Sequence, residues 1–169
     1  IYRPSQPIPT IKRHIVIIPE YAEFETGFSF WLAKIWNIAY NTGDQIIFYA
    51  SEHTTKLIKD ICTQHPIEAE FNIFSNWEDF LLLAWKIENN DNLIIVLSRS
   101  NLVSYNSEMK EIPFYLNTHF PEQNFMLIYP SQTVSVENET VDLTNPSLLA
   151  AIERIDVIGK TVANIFRRK

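Results

Sequence analysis

The sequence predicts an α/β domain built on an open, doubly wound, parallel sheet of five strands with helices on both faces. Three observations carry this expectation. The runs His14-Ile-Val-Ile-Ile18 and Leu93–Leu97 are uninterrupted apolar stretches, as in strands buried on both sides by helices. Between such runs the apolar positions shift to helical spacing, as in Phe24, Phe28, Trp31, Leu32, Ile35 and Ala39. The alternation of strand and helix then repeats down the chain, which is the pattern of parallel strands joined by right-handed crossovers.

Each element has its own punctuation. Residues 1–12 carry three prolines and no periodicity, and read as a linker. An opening on Ile1 through Pro-rich IYRPSQPIPT reads as the edge of a longer protein. Pro19 closes the first strand, and Gly43 stops the long first helix. Gln45–Ala50 is the second strand, and Leu57, Ile58, Ile61 and Cys62 mark the inner face of a helix ending before Pro66. Glu70–Phe74 alternates like a strand near an edge, and Trp77, Phe80, Leu81, Ala84 and Ile87 give a third helix. After the Leu93–Leu97 strand, Pro113 suits the first turn of a short helix ending near Phe120, and Asn124–Tyr129 is the fifth strand. The domain thus spans residues 13–130. Residues 131–169 add a polar loop and a final amphipathic helix, capped by Asn145 with Pro146 at its first position. Trp36 and Phe30 fall off the first helix's apolar stripe and mark a contact surface.

Composition narrows the classes of function. With 11 Phe, 7 Tyr and 4 Trp the chain can build a full core, and a formal net charge of −6 with no long basic stripe argues against a nucleic-acid partner. The longest aliphatic run is far shorter than the roughly 20 residues that cross a bilayer, so this piece is not expected to enter one. The single cysteine, Cys62, has no partner for an internal disulfide and suits a reducing compartment.

In doubly wound sheets ligands lie beyond the carboxyl ends of the strands. Here those ends lead to Glu20 and Tyr21 after the first strand, to Ser51-Glu52-His53 after the second and to the loop SRSNLVSYNS after the fourth. A backbone cradle for phosphates needs glycine, and the three glycines, Gly27, Gly43 and Gly159, are all elsewhere. Ser98, Arg99, Ser100 and Ser104 could still hold an anion through a guanidinium backed by hydroxyls. The competing reading is a turn whose serines satisfy backbone groups. Glu20, Tyr21, Ser98, Arg99, Ser100 and Ser104 are therefore the candidate ligand residues. No catalytic residue is assigned, because there is no G-x-S-x-G elbow. No metal or other cofactor is expected either: His14, His53, His65 and His119 lack ligand spacing, and His14 reads as a hydrogen-bonded structural residue.

Taken together, HIVIIP, QIIFYASEHTTKLIKDI and the segment from NLIIVLSRSNLVSYNS to FPEQNFMLIYP resemble the cytosolic universal-stress-protein-like domain that follows the membrane part of some bacterial cation/proton antiporters. The resemblance covers roughly residues 13–130. It implies the fold of the adenine nucleotide alpha hydrolase-like class, a tether to an antiporter on the cytoplasmic face of the inner membrane, and a homodimer through the fifth strand, Phe125–Tyr129. ATP-binding members of the family carry G-x-x-G and later G-S/T after the fourth strand. Laid from Ser98, the glycine places fall on Ser98, Asn101 and Glu111 and the hydroxyl place on Ile112, so this chain departs from the ATP-binding pattern. The expectation is a non-enzymatic domain that regulates or helps assemble a sodium/proton or potassium/proton antiporter. The alternative is a small-ligand sensor for a nucleotide or another anion.

Overall fold

The structure, a computed structural model, describes residues 1–64 and 66–130. The loop and amphipathic helix expected in residues 131–169, and His65, lie outside the described residues. In chain order the elements are β1 (Tyr2–Arg3), β2 (Arg13–Ile17), α1 (Phe28–Thr42), β3 (Gln45–Ala50), α2 (Glu52–Gln64), β4 (Ala69–Ile73), β5 (Asp91–Val96), α3 (Ile112–His119) and β6 (Asn124–Ile128). Short 3-10 segments lie at Ala22–Phe24, Trp77–Trp85 and Ser107–Glu111.

The sheet has six strands in the order β1-β6-β5-β2-β3-β4. β2 to β6 are parallel to their neighbours, and β1 runs antiparallel to β6. The parallel part follows the order of doubly wound nucleotide-binding folds, with its reversal between β2 and β5. Alternating residues of one strand feed two cores. Val16 and Ile18 face α1 and α2, whereas Ile15 and Ile17 face Trp77, Phe80, Ile112 and Leu116 on the other side. Each such fully buried Leu, Ile or Phe contributes about 1.5–3 kcal/mol relative to exposure.

The sixth strand is a difference from the sequence reading, and it comes from the segment expected to be a linker. Tyr2 and Arg3 pair with Met126 and Phe125, and the Ile1 carbonyl accepts from the Leu127 N–H at 2.8 Å. Arg3 Nη2 donates to the Phe120 carbonyl at 2.6 Å and its guanidinium lies 4.4 Å from the Phe125 ring centre. Asn124 Oδ1 takes the backbone N–H groups of Ser5 and Gln6. The outer edge of β6, the surface expected to pair two copies, is therefore covered by the chain's own first residues.

Two helical expectations change for identifiable reasons. α1 begins at Phe28, after an extended Glu25, so Phe24 belongs to the preceding turn and is exposed. Trp36 is not on a contact surface: it is 3% exposed and stacks on Phe48 at 6.5 Å, because α1 buries both flanks of its stripe. Phe30 is exposed as expected. The third helix is a 3-10 segment over Trp77–Trp85, whose buried residues Trp77, Phe80 and Leu83 recur every third position. That period of three is the 3-10 repeat, and it leaves Leu81 and Ala84 only half-buried. Gly43 ends α1 as expected, at φ 74° with its N–H on the Ala39 carbonyl. Cys62 packs against the α1–α2 core, where burial pushes its thiol up to about 11.

Candidate functional site

The chain reversal between β2 and β5 puts the end of β2 and the loop after β5 side by side. β2 leads through Ile18 and Pro19 into a turn at Tyr21, the one non-glycine residue with positive φ among the described residues, at 65°. A left-handed tyrosine is uncommon and costs backbone energy, so the surrounding contacts must hold it. The turn drives Ala22 inward and buries two carboxylates, Glu23 at 2% exposure and Glu25 at 7%.

These two acids organise the carboxyl end of the sheet. Glu25 Oε1 accepts from Ser98 Oγ at 2.8 Å and from Ser104 Oγ, both buried residues of the loop after β5. Glu23 Oε2 accepts from Thr54 Oγ1 at 2.8 Å, and Glu23 Oε1 lies 2.8 Å from His53 Nδ1. Ser51 Oγ accepts from the Thr54 N–H and sits 2.8 Å from Thr54 Oγ1, tying the start of α2 into the same network. The His53 ring is largely in solvent and stacks on exposed Phe24 at 6.1 Å.

The six residues expected to bind a ligand are thus not gathered on an open site. Ser98 and Ser104 meet, but on a carboxylate. Arg99 points away: Nη1 donates to the Pro130 carbonyl at 2.7 Å, beyond the end of β6. Glu20, Tyr21 and Ser100 are exposed. The loop spends its backbone donors internally, with the Leu102 N–H on Arg99 and the Tyr105 N–H on Leu102. Ser98 N–H faces Met109 Sδ. Between the cradle and turn readings of SRSNLVSYNS, these bonds are those of a turn. Four carboxylates, Glu20, Glu23, Glu25 and Glu52, sit on the segments leaving β2 and β3, and they repel a phosphate group.

Glu23, Glu25 and Thr54 escaped the sequence reading, which placed His53 at a strand end but gave it no role. Chemically, Glu23 can orient the His53 imidazole through Nδ1 as a general base requires, but no nucleophilic hydroxyl or thiol among the described residues is hydrogen-bonded to that ring. Among the described residues no group of three or more His, Cys, Asp or Glu is placed to hold a metal ion. His14 is hydrogen-bonded as expected, to Asn92 at 3.1 Å, and burial holds its pKa below the ordinary value despite the nearby Asp44 carboxylate.

No family model matches the chain, and no curated protein or solved structure matches it either. The fold alone therefore defines its class: an α/β protein with a mostly parallel six-stranded sheet, compatible with a Rossmann-like arrangement. No described helix is long and apolar enough to cross a membrane.

Proposed function

We propose that the chain is a non-enzymatic regulatory or assembly domain, universal-stress-protein-like in fold, joined to a sodium/proton or potassium/proton antiporter at the cytoplasmic face of a bacterial inner membrane. The observation that carries this reading is the occupied reversal point: Glu25, locked by Ser98 and Ser104, fills the place where a doubly wound fold receives a phosphate. A domain whose customary ligand crevice holds its own carboxylate is suited to transmitting contacts rather than to turning over a nucleotide. Self-association through β6 fits this role only in a state where β1 has left that edge.

The test is cation-driven proton exchange in everted membrane vesicles carrying the full gene product, with and without residues 13–130. Removing the domain is expected to change the pH or ion dependence of exchange while leaving the exchange itself. A gene product with no membrane part, or exchange kinetics indifferent to the deletion, ends the proposal. The nucleotide-sensor alternative requires Arg99 to leave Pro130 and the serines to leave Glu25. A melting-temperature rise with ATP that Arg99→Ala abolishes would restore it, since a ligand at about 100 times its Kd adds about 2.7 kcal/mol.

A further inference from the structure

The two faces of the sheet are covered unequally at β6. On one face α3 packs over the strand, and Phe125 and Leu127 are buried against Ile112, Leu116 and Phe120. On the other face the described residues supply α1 and α2, which share a core with β2, β3 and β5. The β6 residues that point this way, Met126 and Ile128, stay half-buried at its margin. Tyr2 pairs with Met126, so it lies on the same face, and it is 41% exposed. Between this flank and α1 runs a partly open cavity of about 400 Å³, with Tyr2, Ile38 and Met126 on its apolar side and Asn37, Asn41 and Thr42 along the α1 rim.

Parallel strands need cover on both faces, because their apolar side chains alternate between the two. The face under α3 is taken, which leaves the flank beside α1 for whatever follows β6. The sequence expects a helix there from Asn145, with Leu148, Ile152, Ile155, Val162 and Ile165 on one side. That stripe would be about 26 Å long, against about 22 Å for α1, a match to within one turn. Residues 131–144 suffice to turn the chain back across the end of the sheet. Tethering sets the local concentration of such a segment on the order of millimolar, an advantage that no free partner has.

Charge agrees with one orientation. β6 delivers the chain to the carboxyl end of the sheet, so a helix returning from there runs in the same direction as α1. Its final Arg167, Arg168 and Lys169 would then arrive at the Asp44 carboxylate and at the carbonyl end of α1, both of which favour cations. We propose that residues 145–169 form an amphipathic helix that docks on this flank, its apolar stripe on Tyr2, Ile38, Met126 and Ile128 and its basic end beside Asp44. Asn37, Asn41 and Thr42 fall where the helix turns from its apolar stripe to its polar side. The occupant is a segment of the chain itself, and the proposal does not depend on the antiporter reading.

Methyl NMR on the whole 169-residue chain tests this. Nuclear Overhauser contacts are expected from the Met126 and Ile128 methyls to methyls within Leu148–Ile165, and none from Leu116 or Leu127 on the other face. Mixing labelled with unlabelled chains should leave those contacts within one chain. Ile155→Asp puts a charge at the centre of the stripe without altering a described residue. It should abolish the contacts and increase the broadening of the Met126 methyl by a soluble paramagnetic probe, with Leu116 unchanged. Where that variant does not fold, the contacts in the parent chain decide. Their absence, contacts from the Leu116 face, contacts between chains only, or unaltered broadening of Met126 in folded Ile155→Asp would overturn the proposal and leave the flank to a second copy or another protein.

Discussion

The two ends of the sheet treat buried polarity in opposite ways. At the carboxyl end, Glu23 and Glu25 are buried with no Lys or Arg in hydrogen-bonding contact among the described residues, and three hydroxyls from two segments, the start of α2 and the loop after β5, close around them. At the amino end, Asp91 is fully buried and receives a bidentate pair from Arg13, with Nε and Nη2 each at 2.7 Å, while one residue further along the strands buried His14 and Asn92 bond to each other and leave Asn92 Oδ1 without a partner among the described residues. The end where this fold class keeps its ligands is filled by the chain itself; the end that the class leaves structural retains unused hydrogen-bonding capacity. Fold therefore locates a customary site without guaranteeing that it is open.

The contrast can be broken first at Arg13. Arg13→Ala strands the Asp91 carboxylate, and chemical denaturation should show a loss of about 2–3 kcal/mol, below the full cost of orphaning a buried charge because Arg13 keeps a quarter of its own side chain in water. At the other end, Glu25→Ala leaves the buried Ser98 and Ser104 hydroxyls without their acceptor and should cost about 1–2 kcal/mol, with Glu25→Gln losing less because its amide oxygen still accepts. An undiminished stability in Glu25→Ala would mean that the carboxylate does not close the crevice.

A pH titration sharpens the same comparison. The His14 pKa is lowered in the fold by burial, so the unfolded chain takes up its proton first as pH falls through the ordinary value of 6.5. The neutral ring's contribution is complete above that value and is lost on acidification toward the folded pKa. His14→Gln should accordingly flatten the decline in melting temperature between about pH 7 and about pH 5. The smallest effect is expected at Arg99. Among the described residues its guanidinium donates only to the Pro130 carbonyl, from an exposed position, and Arg99→Ala should stay within about 0.5 kcal/mol of the parent protein.

The parallel strands were legible because apolar runs and their stops are local facts: Gln45–Ala50 has the expected ends, and the other parallel strands shift by one or two residues. β1 was not legible. Two residues before a proline carry no period, and their role comes entirely from β6, more than a hundred positions away in sequence. The acids of the crevice were hidden for a related reason. Glu is almost never fully buried, so Glu23 and Glu25 look like solvent-facing charges until their partners are known. Those partners for Glu25 lie 73 and 79 residues downstream. Ser98 and Ser104 did carry a signal, two hydroxyls after a buried strand, but a hydroxyl serves an anionic ligand or a protein carboxylate equally well.

The short ribbon formed by Tyr2 and Arg3 also sets how the domain would answer mechanical load. Because it lies antiparallel on the outermost parallel strand and is held by few backbone bonds, tension on Ile1 would peel it away bond by bond before the central strands bore any strain. A pull at that end would then lengthen the chain by the span of its first few residues and bare the flank of Asn124–Ile128, converting force into a newly accessible pairing surface while the rest of the domain stayed folded.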